Sequence, residues 1–266
     1  MRAAIVVLLL IFHESAGKAG EFWQLHSSGS TVSLRGISAV SESCCWASGA
    51  RGTVLRTIDR GRTWTSVGPP VTEAADFRDV HAWNDSTAII MSAGDVDRLY
   101  RTEDGGRTWQ MVFEERATDA FFDGLTFDAA GNSGWLMGDP LDGQVYLLRT
   151  DDGGRSWVRH PAEQSPHVAT GVAAFAASGT HLLLRSNRDL LIGLGGLPEL
   201  TTENAAAASA GVLITTDQGK SWKQIPVPMQ SNVSSGIFSL SDVSVDGDRL
   251  VAVGGDYRQV QNKDNN

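Results

Sequence analysis

The chain has 266 residues, a formal net charge of −9 and 29 glycines. That length allows a large core in one domain, and the acidic balance argues against a nucleic-acid backbone as partner. Its two cysteines, Cys44 and Cys45, are adjacent; neighbours in sequence rarely bridge each other, and they form no CxxC or zinc-binding pattern, so two buried thiols are expected.

Residues 1–19 carry a leader pattern: Arg2, an apolar run Ala3–Phe12 too short to span a bilayer, and small residues around Lys18. The expectation is an exported chain, periplasmic or secreted, with no membrane span once the leader is removed. Residues 20–266 then read as one domain of short strands, with Trp23 marking an early blade edge.

A four-strand pattern follows and repeats. In the first unit a strand begins at Leu34-Arg35-Gly36-Ile37, a second ends at Trp46–Gly49, and a third spans Thr53–Thr57. The phrase Thr57–Trp64 (TIDRGRTW) comes next. The second unit runs Phe77-Arg78-Asp79-Val80, Ile89–Gly94, Arg98–Thr102, the phrase Thr102–Trp109 (TEDGGRTW) and a fourth run, Trp109–Phe113. The third runs Phe122-Asp123-Gly124-Leu125, Trp135–Gly138, Gln144–Thr150 and Thr150–Trp157 (TDDGGRSW). The fourth has Leu190–Gly195, a long Ala/Thr/Gly-rich insertion over 194–210, Gly211–Thr215 and Thr215–Trp222 (TTDQGKSW). A fifth begins with Ile237–Val245 and Arg249–Gly255, and its phrase would fall beyond Asn266. An insertion confined to one repeat maps to a loop, either a binding face or a tolerated excursion.

The four phrases explain their own residue types. Asp59, Asp104, Asp152 and Asp217 are placed to fold a carboxylate onto the N–H groups of a tight turn. Gly61, Gly106, Gly154 and Gly219 permit φ > 0. Trp64, Trp109, Trp157 and Trp222 supply apolar area between neighbouring sheets. Strand, polar turn, strand is a hairpin, and four hairpin-bearing units at a period of roughly 45 residues predict an all-β propeller of four-stranded blades. The phrase resembles an EF-hand loop only superficially, since the ladder of acids and the closing Glu are missing; no metal is expected. Arg56, Arg101 and Arg149, one before each phrase, recur in register and read as struts between blades.

Alternate turns of a four-stranded blade lie on opposite faces, so the phrases mark one face and the starts of the first strands the other, around the channel. Arg35, Arg78, Asp79, Asp123, Asp139, Asp256 and Tyr257 fall there, along with Asp95, Asp97 and Asp142. Arginine grips carboxylate or phosphate bidentately, so the set suits a protein or glycan ligand; pairing of these charges between blades is the competing reading. Hydrolysis of a glycoside needs one protonated and one ionised carboxyl at a set separation, and Asp123 with Asp139 or Asp256 is the conceivable pair. No Gly-x-Ser-x-Gly elbow, metal-ligand histidine spacing or dinucleotide loop occurs, so no catalytic residue, cofactor or metal is assigned. A monomer is expected.

The phrases match the Asp-box, or BNR, repeat, which is found in sialidases, sortilin-type receptors and some endoglucanase propellers. The nearest likeness is to the photosystem II assembly/stability-factor-like family. It rests on Leu34–Ile37, Phe77–Val80, Gly52–Trp64 and the boxes, and, for the exported bacterial branch, on Phe121–Phe127, Met137–Gly143 and Gly254–Tyr257. The resemblance implies a similar seven-bladed parent of which this chain holds about five blades, with further blades beyond Asn266. It implies a non-enzymatic scaffold or assembly factor with an arginine patch, onto which Arg35 and Arg78 carry over. A glycoside hydrolase of the Asp-box type is the alternative. The early Phe-Arg-Ile-Pro phrase of sialidases is matched at Phe77-Arg78 and then departs.

Overall fold

The computed structural model describes residues 25–70, 75–94, 97–117, 119–169, 171–175, 179–186, 188–196, 211–229, 233–243 and 249–258. The leader expected at 1–19, Trp23, Asp95 and residues 197–210 of the insertion lie outside the described residues.

Three four-stranded antiparallel sheets form in chain order. The first is β1 (Leu34–Ala39), β2 (Cys45–Gly49), β3 (Thr53–Thr57) and β4 (Thr65–Ser66). The second is β5 (Phe77–Ala82), β6 (Ala88–Ser92), β7 (Asp97–Thr102) and β8 (Gln110–Glu115). The third is β9 (Phe122–Phe127), β10 (Gly134–Leu141), β11 (Gln144–Thr150) and β12 (Val158–Arg159), followed by a 3-10 turn at Ala162–Gln164.

The fourth unit departs from this pattern. Its first strand is broken into β13 (Val172–Ala173) and β14 (Leu182–Leu184), which pair with opposite ends of β15 (Leu190–Gly196). β16 (Gly211–Thr215) and β17 (Lys223–Pro226) complete it. The hairpin β18 (Ser235–Asp242) and β19 (Leu250–Asp256) joins this sheet through one pair, Gly195 with Gly236. A Cβ on either glycine would overlap the other's Cα, so the two backbones meet only because neither carries a side chain.

Neighbouring sheets meet through their first strands and bury apolar residues face to face. Trp46 and Val54 of the first sheet pack on Phe77, Val80 and Ile90 of the second. Ile89, Met91 and Leu99 of the second pack on Phe122, Leu136 and Leu148 of the third. Trp135, Met137 and Leu147 of the third pack on Leu190, Ile192 and Leu213 of the fourth. In β6 alternate residues serve the two seams: Ala88 and Ile90 face one sheet, Ile89 and Met91 the other. A strand buried on both faces reads as a continuous apolar run, which is why the second strands stand out in the sequence. Cys44 and Cys45 are buried and unbridged; burial pushes the Cys45 thiol up to about 11, which leaves it inert.

Four first strands share an irregularity that alternation alone does not reveal. Each has a bulge near its start: Arg35, Arg78, Asp123 and Phe238 are skipped in the pairing of β1, β5, β9 and β18. A bulge re-aims one side chain and twists its strand, and such features gather at rims and sites.

Candidate functional site

The eight-residue phrases form one end of the sheets, in a single geometry. In the first, the Thr57 hydroxyl donates to Asp59 Oδ1 (2.9 Å) and accepts from Gly61 N (2.9 Å). Asp59 also accepts from Thr63 N (2.9 Å) and Thr63 Oγ1 (2.6 Å). The same bonds join Thr102, Asp104, Gly106 and Thr108, then Thr150, Asp152, Gly154 and Ser156, then Thr215, Asp217, Gly219 and Ser221. The Thr63, Thr108 and Ser221 hydroxyls, aided by backbone N–H groups, hold Asp59, Asp104 and Asp217 at about 2. At Asp152 slight burial opposes the same bonds, and the value is again about 2.

Each later phrase also locks onto the preceding sheet. Trp109 Nε1 donates to Val67 O (2.7 Å), and a Cβ on Gly106 would meet Val67. A Cβ on Gly154 would meet Ile89 Cδ1 at 3.1 Å, and Trp157 is buried. Gly219 lies against His160, and Trp222 Nε1 donates to Gln164 O (3.0 Å). Arginine struts run the other way. Arg56 lies over Trp46 and donates to Asp85 O; Arg101 lies over Trp83 and donates to Gly153 O; Arg149 lies over Trp135 and donates to Gln218 Oε1.

The bulges mark the opposite end. Arg35 Nε donates to Asp76 Oδ1 (2.8 Å), and the Arg78 guanidinium reaches Asp76 Oδ2 (3.3 Å) while lying over the Phe121 ring. Asp76 thus bridges two units, and the sequence offered no sign of it because it precedes the strand. Asp79 does not line an open surface. It is 5% exposed and accepts from Val80 N and Leu125 N (2.8 and 2.9 Å), tying the second sheet to the third. Burial pushes its carboxyl up to about 7 against those bonds.

Asp123 is 2% exposed, with Oδ2 unpartnered. Burial and then the Asp139 charge push it well above the carboxylate range, against the pull of Arg78. Burial also raises Asp139, and raises Asp97 to about 6. Arg78, Asp97, Asp123 and Asp139 therefore form one electrostatic group. Asp256 is set apart from it, buried and accepting from Ser234 Oγ and Arg258 N. Tyr257 is half exposed and stands edge-on to Phe175, which also meets the bulge residue Phe238 edge-on. The face is charged on the first three units and aromatic on the last two. His181 was not foreseen: it fills the space over Gly124, and burial lowers it to about 4, so it is neutral. Among the described residues no group of three or more His, Cys, Asp or Glu side chains is disposed to hold a metal ion.

No protein-family model matches the chain, and no curated protein matches it in sequence. Solved structures do match. A protein of unknown function from Dyadobacter fermentans DSM 18053 is similar with a TM-score of 0.56 at 13% identity, over 83% of this chain and 74% of that one. An ancestral GH74 enzyme is similar with a TM-score of 0.56 at 15% identity, over 89% of this chain and 31% of that one. The fold is a β-propeller. The propeller spans about a third of the GH74 enzyme's length, and at these identities the likeness concerns the fold alone. YCF48 bound to D1 peptide matches with a TM-score of 0.45 at 15% identity, over 86% of this chain and 76% of that one.

Proposed function

We propose that this propeller is a non-enzymatic, exported binding scaffold, an assembly or stability factor that docks a protein or glycan ligand on its channel face and works as a monomer. The observation that carries this reading is the bulge repeated at Arg35, Arg78, Asp123 and Phe238. Bulges disrupt ladder pairing, and four at one end of the blades aim two arginines, an acid and an aromatic ring toward one region. A charged half beside an aromatic half suits a ligand with polar and apolar parts.

Hydrolysis is the second reading, favoured by one feature: Asp123 and Asp139 raise each other, as a proton-sharing pair does. Against it, Asp123 and Asp79 are withdrawn from solvent, and both arginines are committed to Asp76. A hydrolase needs its carboxyls across an open groove. The test combines a glycan-hydrolysis screen with a pull-down using wild type and an R35A/R78A double variant. The scaffold reading expects no hydrolysis and a partner retained only by wild type. Turnover abolished by Asp123→Asn would establish the hydrolase instead.

A further inference from the structure

The seams between blades are built alike until the third. In every box the fourth residue has a left-handed backbone: Arg60, Gly105, Gly153 and Gln218 have φ of 67°, 77°, 70° and 63°. In the first seam the strut Arg56 lies so close to Gly105 that a Cβ there would overlap its guanidinium. In the second, Arg101 Nε donates directly to Gly153 O (2.9 Å). In the third a side chain intervenes, and Arg149 donates to Gln218 Oε1 (2.9 Å) instead of the box backbone. A cavity of about 270 Å³ opens there, between the outer strand of the third blade and the fourth box.

Its lining is basic within an acidic chain. Arg149, Arg159 and Lys220 face a single acid, Asp151, which Arg149 already engages at 2.9 Å. Lys220 makes no ion pair among the described residues. The position of Arg159 holds Ser66 and Met111 in the first two blades, so this cation is special to the third seam. Arg159 lies over the Tyr146 ring, which fixes its guanidinium. His160 closes one wall, neutral through burial and held with Nε2 3.1 Å from Gly219 O.

We propose that this cavity, at the opposite end of the blades from the bulges, binds a small multivalent oxyanion of carboxylate or phosphate type. Arg149, Arg159 and Lys220 supply the charge and Gln218 the polar spacer. Guanidinium groups match both oxyanions in bidentate geometry, and the net positive lining selects against neutral molecules.

Isothermal titration calorimetry of the full chain with citrate and with pyrophosphate, and with glycerol as a neutral control, tests this. The expected result is one-to-one binding of at least one anion and none of glycerol; the tighter anion names the source. Lys220→Gln and Arg159→Gln should each weaken binding about tenfold. Gln218→Gly should abolish it without lowering the melting temperature, since glycine suits φ > 0 and lets the strut close the seam as at Gly105. The proposal fails if neither anion binds, or if any one of the three variants binds as wild type does.

Discussion

The indole of Trp109 stands edge-on against that of Trp46, ring centroids 6.3 Å apart and planes at 87°, while its Nε1 donates to Val67 O. One residue of the second box thus packs on the core of the first blade and bonds its backbone. Trp109→Ala removes both, and the expected loss is about 3 kcal/mol, at the low end for a large-to-small change because the ring is only half buried. Urea denaturation monitored by circular dichroism measures it, and an unchanged midpoint would remove the box tryptophan from the packing account.

Arg101 is 8% exposed, lies over Trp83 and donates to Gly153 O of the next blade. Arg101→Ala leaves a buried carbonyl without its charged donor, and about 2 kcal/mol should be lost. Arg101→Lys should not restore it, because an ammonium can neither stack flat on the indole nor reach the carbonyl in the same geometry. Equal stabilities of the lysine variant and wild type would contradict the strut.

The pH dependence of stability has two opposed limbs. The four box aspartates, at about 2 in the fold against about 3.9 unfolded, contribute stability that is present above pH ~4 and lost as pH falls through about 2. Asp79 and Asp97, raised to about 7 and about 6, contribute stability that is full below pH ~4 and lost as pH rises through those values. The melting temperature should therefore peak at about pH 4–5, below the usual range for globular domains. A melting temperature that climbs steadily from pH 5 to pH 8 would overturn the assignment of buried, raised carboxyls.

Gly219 has φ of 89°, and a Cβ there would stand 2.7 Å from His160 Cε1 and 3.0 Å from Trp135. Gly219→Ala meets both a strained backbone and two rings that are themselves packed, and about 2 kcal/mol should be lost. Gly61→Ala has the same φ problem but meets only its own Trp64, at 3.8 Å, so it should cost less. Thermal melts of the two variants decide the order, and the reverse order would deny that each box docks on the preceding blade.

Much of the fold was legible because its signals are local. The box turns depend on residues within eight positions of each other, and strands buried on both faces, such as Ala88–Ser92, announce themselves as apolar runs. The site was less legible because its geometry is non-local. Arg35 and Arg78 were recognisable, but the acid that joins them, Asp76, sits in a loop with no periodic context. Asp79 belongs to the same short phrase as Arg78, yet the bulge sends the arginine toward the surface and the carboxylate into the seam. A one-residue insertion in a ladder leaves no mark on composition or alternation. The open third seam was visible as Gln218 standing where two other boxes have glycine, but only the strut geometry gives that exchange a consequence.

The central claim is that the bulge residues bind a ligand and do not cut one. Its most direct test is a parallel assay of wild type, R35A/R78A and Asp123→Asn for partner retention and for release of sugar from a glycan panel. The account predicts retention by wild type, loss of retention with R35A/R78A at little change in melting temperature, and no sugar released by any form. Sugar released by wild type and not by Asp123→Asn, or retention indifferent to both arginines, would contradict it.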